Sequence, residues 1–222
     1  MKMDLHIHSS FSDGLNTPEE IVKCAIELGY EAIGITDHVR KNSTWVEDFV
    51  AEIKKIKQKY EDRIRVFCCV ESKVINLEGD IDFQPTWSKI VDLVFAAFHE
   101  IPNHNGFMSE GEIAKQPEKA LDLWTNGMLK VLKNPLVHVI AHPGSVLKNY
   151  NIKIPRKLKE KISFEAKINN KIFEINGKYN VPDKEFLRIL KKNKVKLIFG
   201  SDSHSTSEMN QFHKLAEKYN EV

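Results

Sequence analysis

Met3-Asp4-Leu5-His6-Ile7-His8-Ser9-Ser10-Phe11-Ser12-Asp13-Gly14 sets two histidines and two carboxylates within one short stretch near the N-terminus. Side chains alternate along an extended strand, so Asp4, His6 and His8 are expected on one face and Leu5 and Ile7 on the other. Both imidazoles then aim at one point and read as half of a metal site. A polar face on an edge strand would give the same triplet, so the assignment depends on what the rest of the chain supplies.

Downstream, Thr17-Pro18-Glu19-Glu20 combines an N-cap threonine, a proline at the first helical position and a glutamate placed to close a capping box. Ile21, Ala25 and Leu28 continue at helical spacing, and Gly29 ends the helix. A short strand over 31–36 runs into Asp37-His38. Thr44-Trp45-Val46-Glu47 repeats the capping pattern ahead of an amphipathic stripe from Val46 to Tyr60. A third strand over 64–70 ends at Glu71, and a nearly continuous apolar strand over 92–98 ends at His99. Residues 100–111, with Pro102, Gly106 and Gly111, read as an irregular mobile loop that could act as a lid. Helices over 117–133, 155–168 and 182–192 then alternate with strands over 136–141, 172–175 and 195–199, and a short helix closes the chain. These last strands end at His142-Pro143-Gly144, Asn176-Gly177 and Gly200-Ser201-Asp202-Ser203-His204.

Seven strands alternating with helices imply parallel pairing through right-handed crossovers. The expected fold class is α/β, a seven-stranded (β/α)7 barrel of TIM-barrel type, with residues 1–222 as one domain. A doubly wound open sheet is the alternative. Against it, no glycine-rich phosphate loop follows the first strand, and the histidines are spread over too many strand ends for one crevice.

Position carries the functional reading. His6, His8, His38, Glu71, His99, His142, Asp202 and His204 all fall at or just past the carboxyl end of an expected strand, the face of a parallel barrel that bears its chemistry. With Asp13 they make a set of nitrogen and oxygen donors too large for one ion, which takes about four to six, so two or three ions are implied. Asp13 also fits a simple Ser-Asp-Gly turn. Glu71 would be costly to bury at the end of an apolar strand without a partner or a metal. Asp4 and Asp37 are expected to orient ligands rather than to be ligands. His138 reads as a hydrogen-bonded core residue and His213 as a solvent-facing one.

With these motifs in this order, Asp4-Leu5-His6-Ile7-His8, Ser12-Asp13-Gly14, Ile35-Thr36-Asp37-His38, Glu71, His99, Ala141-His142-Pro143-Gly144 and Ser201-Asp202-Ser203-His204, the chain resembles the polymerase-and-histidinol-phosphatase (PHP) superfamily of metal-dependent phosphoesterases. The resemblance implies one metal held by His6, His8, Glu71 and Asp202. It implies a second that shares Glu71 and is held by His99 and His142, and a third held by Asp13, His38 and His204. It also implies a distorted seven-stranded barrel and a single PHP-type domain. Histidinol-phosphate phosphatases of that superfamily tend to be longer, with insertions that build the substrate pocket, so histidinol phosphate is not implied.

Two or three divalent transition ions, zinc, manganese or iron, would share a hydroxide and clamp an in-line displacement at phosphorus, with Glu71 and Asp202 acting through the metals. Arg40, past His38, and Lys178, past the sixth strand, are the candidates for the remaining phosphate charge. His104 is the candidate proton donor to a leaving group. The run Lys153, Arg156, Lys157, Lys159 and Lys161 reads as the wet face of a helix, and Trp45 and Phe107 as core residues.

The balance of 33 basic and 31 acidic residues argues for a small phosphorylated metabolite and against nucleic acid. A nuclease or phosphodiesterase acting on nucleic-acid ends is the alternative, as is a metal-stabilised domain without catalysis. Amidohydrolases also open with His-X-His, but they need an eighth strand and a metal-binding lysine, for which Lys73 is the nearest and a poorly placed candidate. No stretch reaches the roughly 18 apolar residues of a membrane helix. Cys24, Cys68 and Cys69, odd in number, fit free thiols in the cytoplasm. Oligomeric state is not legible.

Overall fold

A computed structural model describes residues 2–220. Its elements in chain order are β1 (Met3–Ile7), α1 (Pro18–Glu27), β2 (Ala32–Val39), α2 (Val46–Lys59), β3 (Arg65–Lys73), β4 (Leu93–Ala97), β5 (Pro102–Asn103), β6 (Gly106–Phe107), α3 (Glu110–Lys115), α4 (Pro117–Val131), β7 (Val139–Ile140), α5 (Ser145–Lys148), α6 (Arg156–Ile168), β8 (Ile172–Asn176), α7 (Lys184–Lys192), β9 (Lys196–Gly200) and α8 (Thr206–Asn220). Seven strands form one parallel sheet in the order β1-β2-β3-β4-β7-β8-β9. β9 and β1 close onto one another through the segment just past β9: Asp202 N donates to His6 O at 2.8 Å and His8 N to Ser203 O at 2.9 Å. The result is a nearly closed, distorted α/β barrel, with helices on its outside, rather than an open sheet.

Two apolar regions flank the strands. Leu5, Cys69, Phe95, Ala97, Val139 and Ala141 fill the interior, and Ile33, Ile35, Val70, Val94 and Phe173 join Phe49, Ile53, Trp124 and Phe186 in an outer layer beneath the helices. The period-two reading of the first strand is corrected here. A register shift between Asp4 and Ile7 breaks the alternation, so Leu5 lies in the interior cluster and Ile7 in the outer one. Such an irregularity turns one strand face over partway along. His6 packs on the interior Phe95, with ring centroids 5.2 Å apart.

α1 starts as expected, with Thr17 and Glu20 in a reciprocal capping box. α2 does not. Its N-cap is Trp45, without a side-chain cap bond, because Glu47 instead accepts from Trp87 Nε1 at 3.2 Å. Residues 100–111 are not irregular: β5 and β6 form an antiparallel hairpin, and α3 follows with Ser109 and Glu112 in a second capping box. The strand expected over 136–141 narrows to β7, whereas β2 and β3 run through His38 and Glu71 instead of stopping before them. Lys159 is not on a wet face. Its ammonium is buried between Asp183 at 2.7 Å and Glu185 at 2.8 Å, tying α6 to α7.

Candidate metal centre

Glu71 is the hub. It projects from β3 into the barrel mouth at 1% exposure, and five imidazoles surround it. Oε1 lies 2.8 Å from His142 Nε2 and 3.5 Å from His99 Nε2. Oε2 lies 2.8 Å from His38 Nδ1, 3.6 Å from His6 Nε2 and 3.8 Å from His8 Nε2. Towards solvent, Asp13 Oδ2 is 3.6 Å from His38 Nε2 and 3.4 Å from His204 Nε2, while its Oδ1 is 3.6 Å from His8 Nδ1. Asp202 Oδ1 closes the remaining side, 3.3 Å from His8 Nε2 and 3.7 Å from His204 Nδ1. Every metal-site residue named from the sequence thus reaches one site.

Three groupings have all their donor atoms within 4.8 Å of one another: His6, His8 and Glu71; His38, Glu71 and His99; and His8, Asp13, His38 and His204. The second differs from the set that the resemblance implies, because His38 stands with His99 where His142 was expected.

The donor chemistry suits metal ions. His6 Nδ1 is held by Glu174 Oε1 at 2.7 Å, which leaves the lone pair of the neutral ring on Nε2. That nitrogen faces His8 Nε2 at 3.1 Å, and two ring protons cannot share this gap. His8 Nδ1 is buried without a hydrogen-bond partner. Burial works against ionisation of Glu71, yet His6, His99, His142 and His38 hold its carboxyl well below the usual range. Burial likewise opposes ionisation of Asp202, and His8, His6 and His142 hold it down. At His6 burial disfavours the cation, but Glu174 and Glu71 outweigh it and raise the ring's pKa well above its ordinary value. The pocket therefore calls for positive charge among nitrogen and oxygen donors, as divalent cations would supply.

Glu174 has no role in the sequence reading, yet it is as buried as Glu71. Besides His6, it accepts the backbone N–H of His142. Gly200 makes the room: a Cβ there would collide with Glu174 Oε1 and approach His6 Cβ. The signal was present in Ile172-Phe173-Glu174-Ile175, an acid within an apolar strand, the same anomaly that singles out Glu71. Asp4 does not orient an imidazole, since its Oδ1 accepts Ser201 N at 2.9 Å and His6 N at 3.3 Å. Burial raises its pKa to about 6 against those bonds. Asp37 accepts from Ser9 N at 2.8 Å and Ser9 Oγ at 2.6 Å, fixing the loop that carries Asp13.

The residues proposed for substrate separate. Lys178 reaches the centre, with Nζ 3.8 Å from Asp202 Oδ1 and 3.3 Å from His204 Nδ1. Beside it stands Tyr179, unnoticed in the sequence, its ring 5.3 Å from that of His142. Burial, then Asp202 and Glu71, raise the Tyr179 pKa. Both residues line a cavity of about 240 Å³ together with Glu71, His99, His142 and Asp202. Arg40 lines a neighbouring cavity of about 530 Å³ with Lys73, Asp82 and Phe107. Phe107 is thus a cavity wall and not core, with Lys73 Nζ 3.7 Å from its ring centroid. Lys73 also pairs with Glu100, which removes it as a metal-binding lysine. His104 is exposed in the turn between β5 and β6 and lines neither cavity. His213 bonds Asn210 O on α8 and takes no part.

Residues 4–179 match the PHP domain. A relative from Acetivibrio thermocellus, named "Probable phosphatase", is 31% identical over 230 aligned residues, spanning 99% of this chain and 86% of that protein. Among solved structures, a candidate histidinol phosphatase of Listeria monocytogenes superposes with a TM-score of 0.77 at 16% identity, covering 96% of this chain and 99% of that one. A histidinol phosphate phosphatase of Lactococcus lactis, solved with zinc, L-histidinol and phosphate, gives 0.67 at 22% identity, covering 98% and 93%. Coverage of this extent means that a compact chain does not set this protein apart from those two. The family match over most of the chain, on a barrel whose mouth gathers these donors, shows that the protein belongs to the PHP domain family of phosphoesterases.

Proposed function

We propose that this chain is a phosphatase that hydrolyses the monoester of a small phosphorylated metabolite at a centre of two or three divalent transition ions, zinc, manganese or iron. The observation that carries the reading is the convergence of His6, His8, Asp13, His38, His99, His142, Asp202 and His204 about the buried Glu71. His6, His8, Glu71 and Asp202 would hold one ion, Glu71, His99 and His142 a second, and Asp13, His38 and His204 a third. When bound, such ions supply Lewis acidity towards phosphoryl oxygens and make water a better nucleophile near neutral pH.

The chain's own groups do the rest. Glu71 and Asp202 supply the anionic charge that retains the ions, and Glu174 orients His6 and the His142 backbone. Lys178 and Arg40 take the phosphate charge that the ions leave uncompensated. Cavities of about 240 and 530 Å³ suit a metabolite rather than a polymer, and a formal charge of +2 supplies no extended basic groove. The "Probable phosphatase" relative and the neighbour solved with L-histidinol and phosphate support the same substrate size. An outer core running from Ile7 to Ala216 supports one PHP-type domain over 1–222, and three free thiols support a cytoplasmic setting.

The test joins elemental analysis of metal-supplemented protein to a screen of metabolite phosphomonoesters beside single-stranded DNA oligomers at two salt concentrations. Two or three equivalents of metal and release of phosphate from a monoester are expected. Metal without any turnover would leave a metal-stabilised, non-catalytic domain. Salt-sensitive degradation of the oligomers with every monoester intact would replace the reading with a nuclease.

A further inference from the structure

Hydrolysis of an alkyl phosphate leaves charge on the ester oxygen as its bond to phosphorus breaks, and the exposed His104 is not there to meet it. Tyr179 is. It is the one phenol lining the cavity of about 240 Å³ over the metal centre, with its ring 5.3 Å from the His142 ring. Among the described residues its hydroxyl has no hydrogen-bond partner, although the backbone that carries it is held on both sides. Tyr179 N donates to Asn176 Oδ1 at 2.9 Å, and Lys148 Nζ donates to Tyr179 O at 2.6 Å and Asn180 O at 3.1 Å. Asn176 is itself closed onto Val181, donating to its carbonyl at 2.8 Å. The loop is therefore positioned without help from the phenol, which leaves the hydroxyl available to something else. Lys178, one residue earlier, has its ammonium against Asp202 O and His204 Nδ1, both at 3.3 Å, on the metal side of the cavity. The adjacent pair thus offers a charged donor against Asp202 and His204 and a neutral donor beside it.

We propose, resting on the phosphomonoesterase reading above, that Tyr179 is a catalytic residue whose hydroxyl donates to the leaving ester oxygen. As a water oxygen bonds to phosphorus, the P–O ester bond breaks and its electron pair goes to the ester oxygen. That oxygen takes the phenol proton, and the phenolate recovers a proton released by the attacking water. The sum is phosphate monoester plus water giving alcohol plus hydrogen phosphate, with no further reactant. A donor of this kind matters most when the leaving alkoxide is a poor one.

Tyr179→Phe keeps the ring against His142 and removes only the hydroxyl. The metal-loaded variant is compared with the native enzyme on p-nitrophenyl phosphate, whose leaving group needs no proton, and on β-glycerol phosphate, whose leaving group does. Metal content and melting temperature are measured alongside and should not change. The expected result is a fall in kcat of roughly 10²-fold on β-glycerol phosphate with p-nitrophenyl phosphate nearly unaffected. An equal fall on both esters would mean a structural role, and no fall on either would mean an idle hydroxyl; each overturns the proposal. Failure of the native, metal-loaded enzyme on both esters and on the wider monoester screen is a different result, and it would remove the phosphomonoesterase reading itself.

Discussion

Between β2 and β3 the parallel ladder pairs every position from Ala32–Arg65 to Val39–Ser72, whereas β7 joins β4 through only Phe95–Val139 and Ala96–Ile140. The two sides of the barrel mouth are built accordingly. On the first side, His38 and Glu71 lie opposite one another within a regular ladder, so backbone periodicity alone delivers them. On the second, His142 and Asp202 leave their strands in left-handed backbone, with φ of 26° and 59°, conformations that the surroundings must impose. Glu174 supplies part of that imposition through the His142 N–H and the His6 ring. One side of the centre is thus held by its own strands, and the other in part by Glu174, which is not among the residues proposed to hold an ion.

The largest effect expected from this contrast lies between its two buried glutamates. Glu71→Gln should abolish activity and retention of the two ions proposed to share it, because the carboxylate among five imidazoles loses its charge. Glu174→Gln should leave the metal centre assembled but weakened, with a fall of roughly 10- to 100-fold in activity or metal affinity, as for other groups that orient a ligand. Elemental analysis after dialysis and turnover of a phosphomonoester read both variants. If Glu174→Gln were as damaging as Glu71→Gln, Glu174 would have to be counted as a ligand and the distinction between the two sides would collapse.

A smaller effect is expected where the backbone gives Glu174 its space. Gly200→Ala places a methyl against Glu174 Oε1 and close to His6 Cβ, both held within the barrel. Overpacking of this kind costs about 1–3 kcal/mol, so chemical denaturation should show a loss in that range together with reduced activity. Gly106→Ala, on the β5–β6 hairpin, meets no neighbour, but its φ of 125° is unfavourable for alanine. It should therefore cost stability without the matching loss of activity. Equal activity losses in the two variants would show that Gly200 has no special relation to the centre.

The same contrast explains what could be read from the residues alone. Alternation and strand-end position located His38 and Glu71, which lie within regular strands, and His99 and Asp202, each two residues past the end of one. They misassigned Leu5, since a register shift in β1 leaves no trace in the hydrophobic pattern. The capping pattern at Thr17 survives folding, but the one at Thr44 loses to the distant Trp87, a tertiary competitor invisible to local rules. Lys159 sits in a run of basic residues that suggested solvent, and only the approach of α7 brings Asp183 and Glu185 to it. Tyr179 lay in a loop whose course over the centre is set by Asn176 and Lys148, contacts that no periodicity encodes.

The smallest effect concerns the seam between the two sides. β7 is too short to complete its ladder with β4, and His138 extends it: its N–H donates to Val94 O at 2.9 Å, and its ring Nδ1 accepts from Val94 N at 3.1 Å. The second bond requires an unprotonated Nδ1. Burial, and secondarily Lys171, lower the His138 pKa below its ordinary 6.5, so the folded state takes up this proton less readily than the unfolded chain. Its contribution to stability is therefore fully present above pH 6.5 and is lost as the pH falls from there through the lowered folded value. The metal centre carries further histidines, so the measurement has to be a difference. In urea unfolding at pH 7.5 and 5.5, native protein should lose more stability on acidification than His138→Asn, whose amide oxygen accepts from Val94 N without titrating. Equal losses would mean that the seam is held by backbone bonds alone, and that β7, short as it is, needs no side chain to join the two sides.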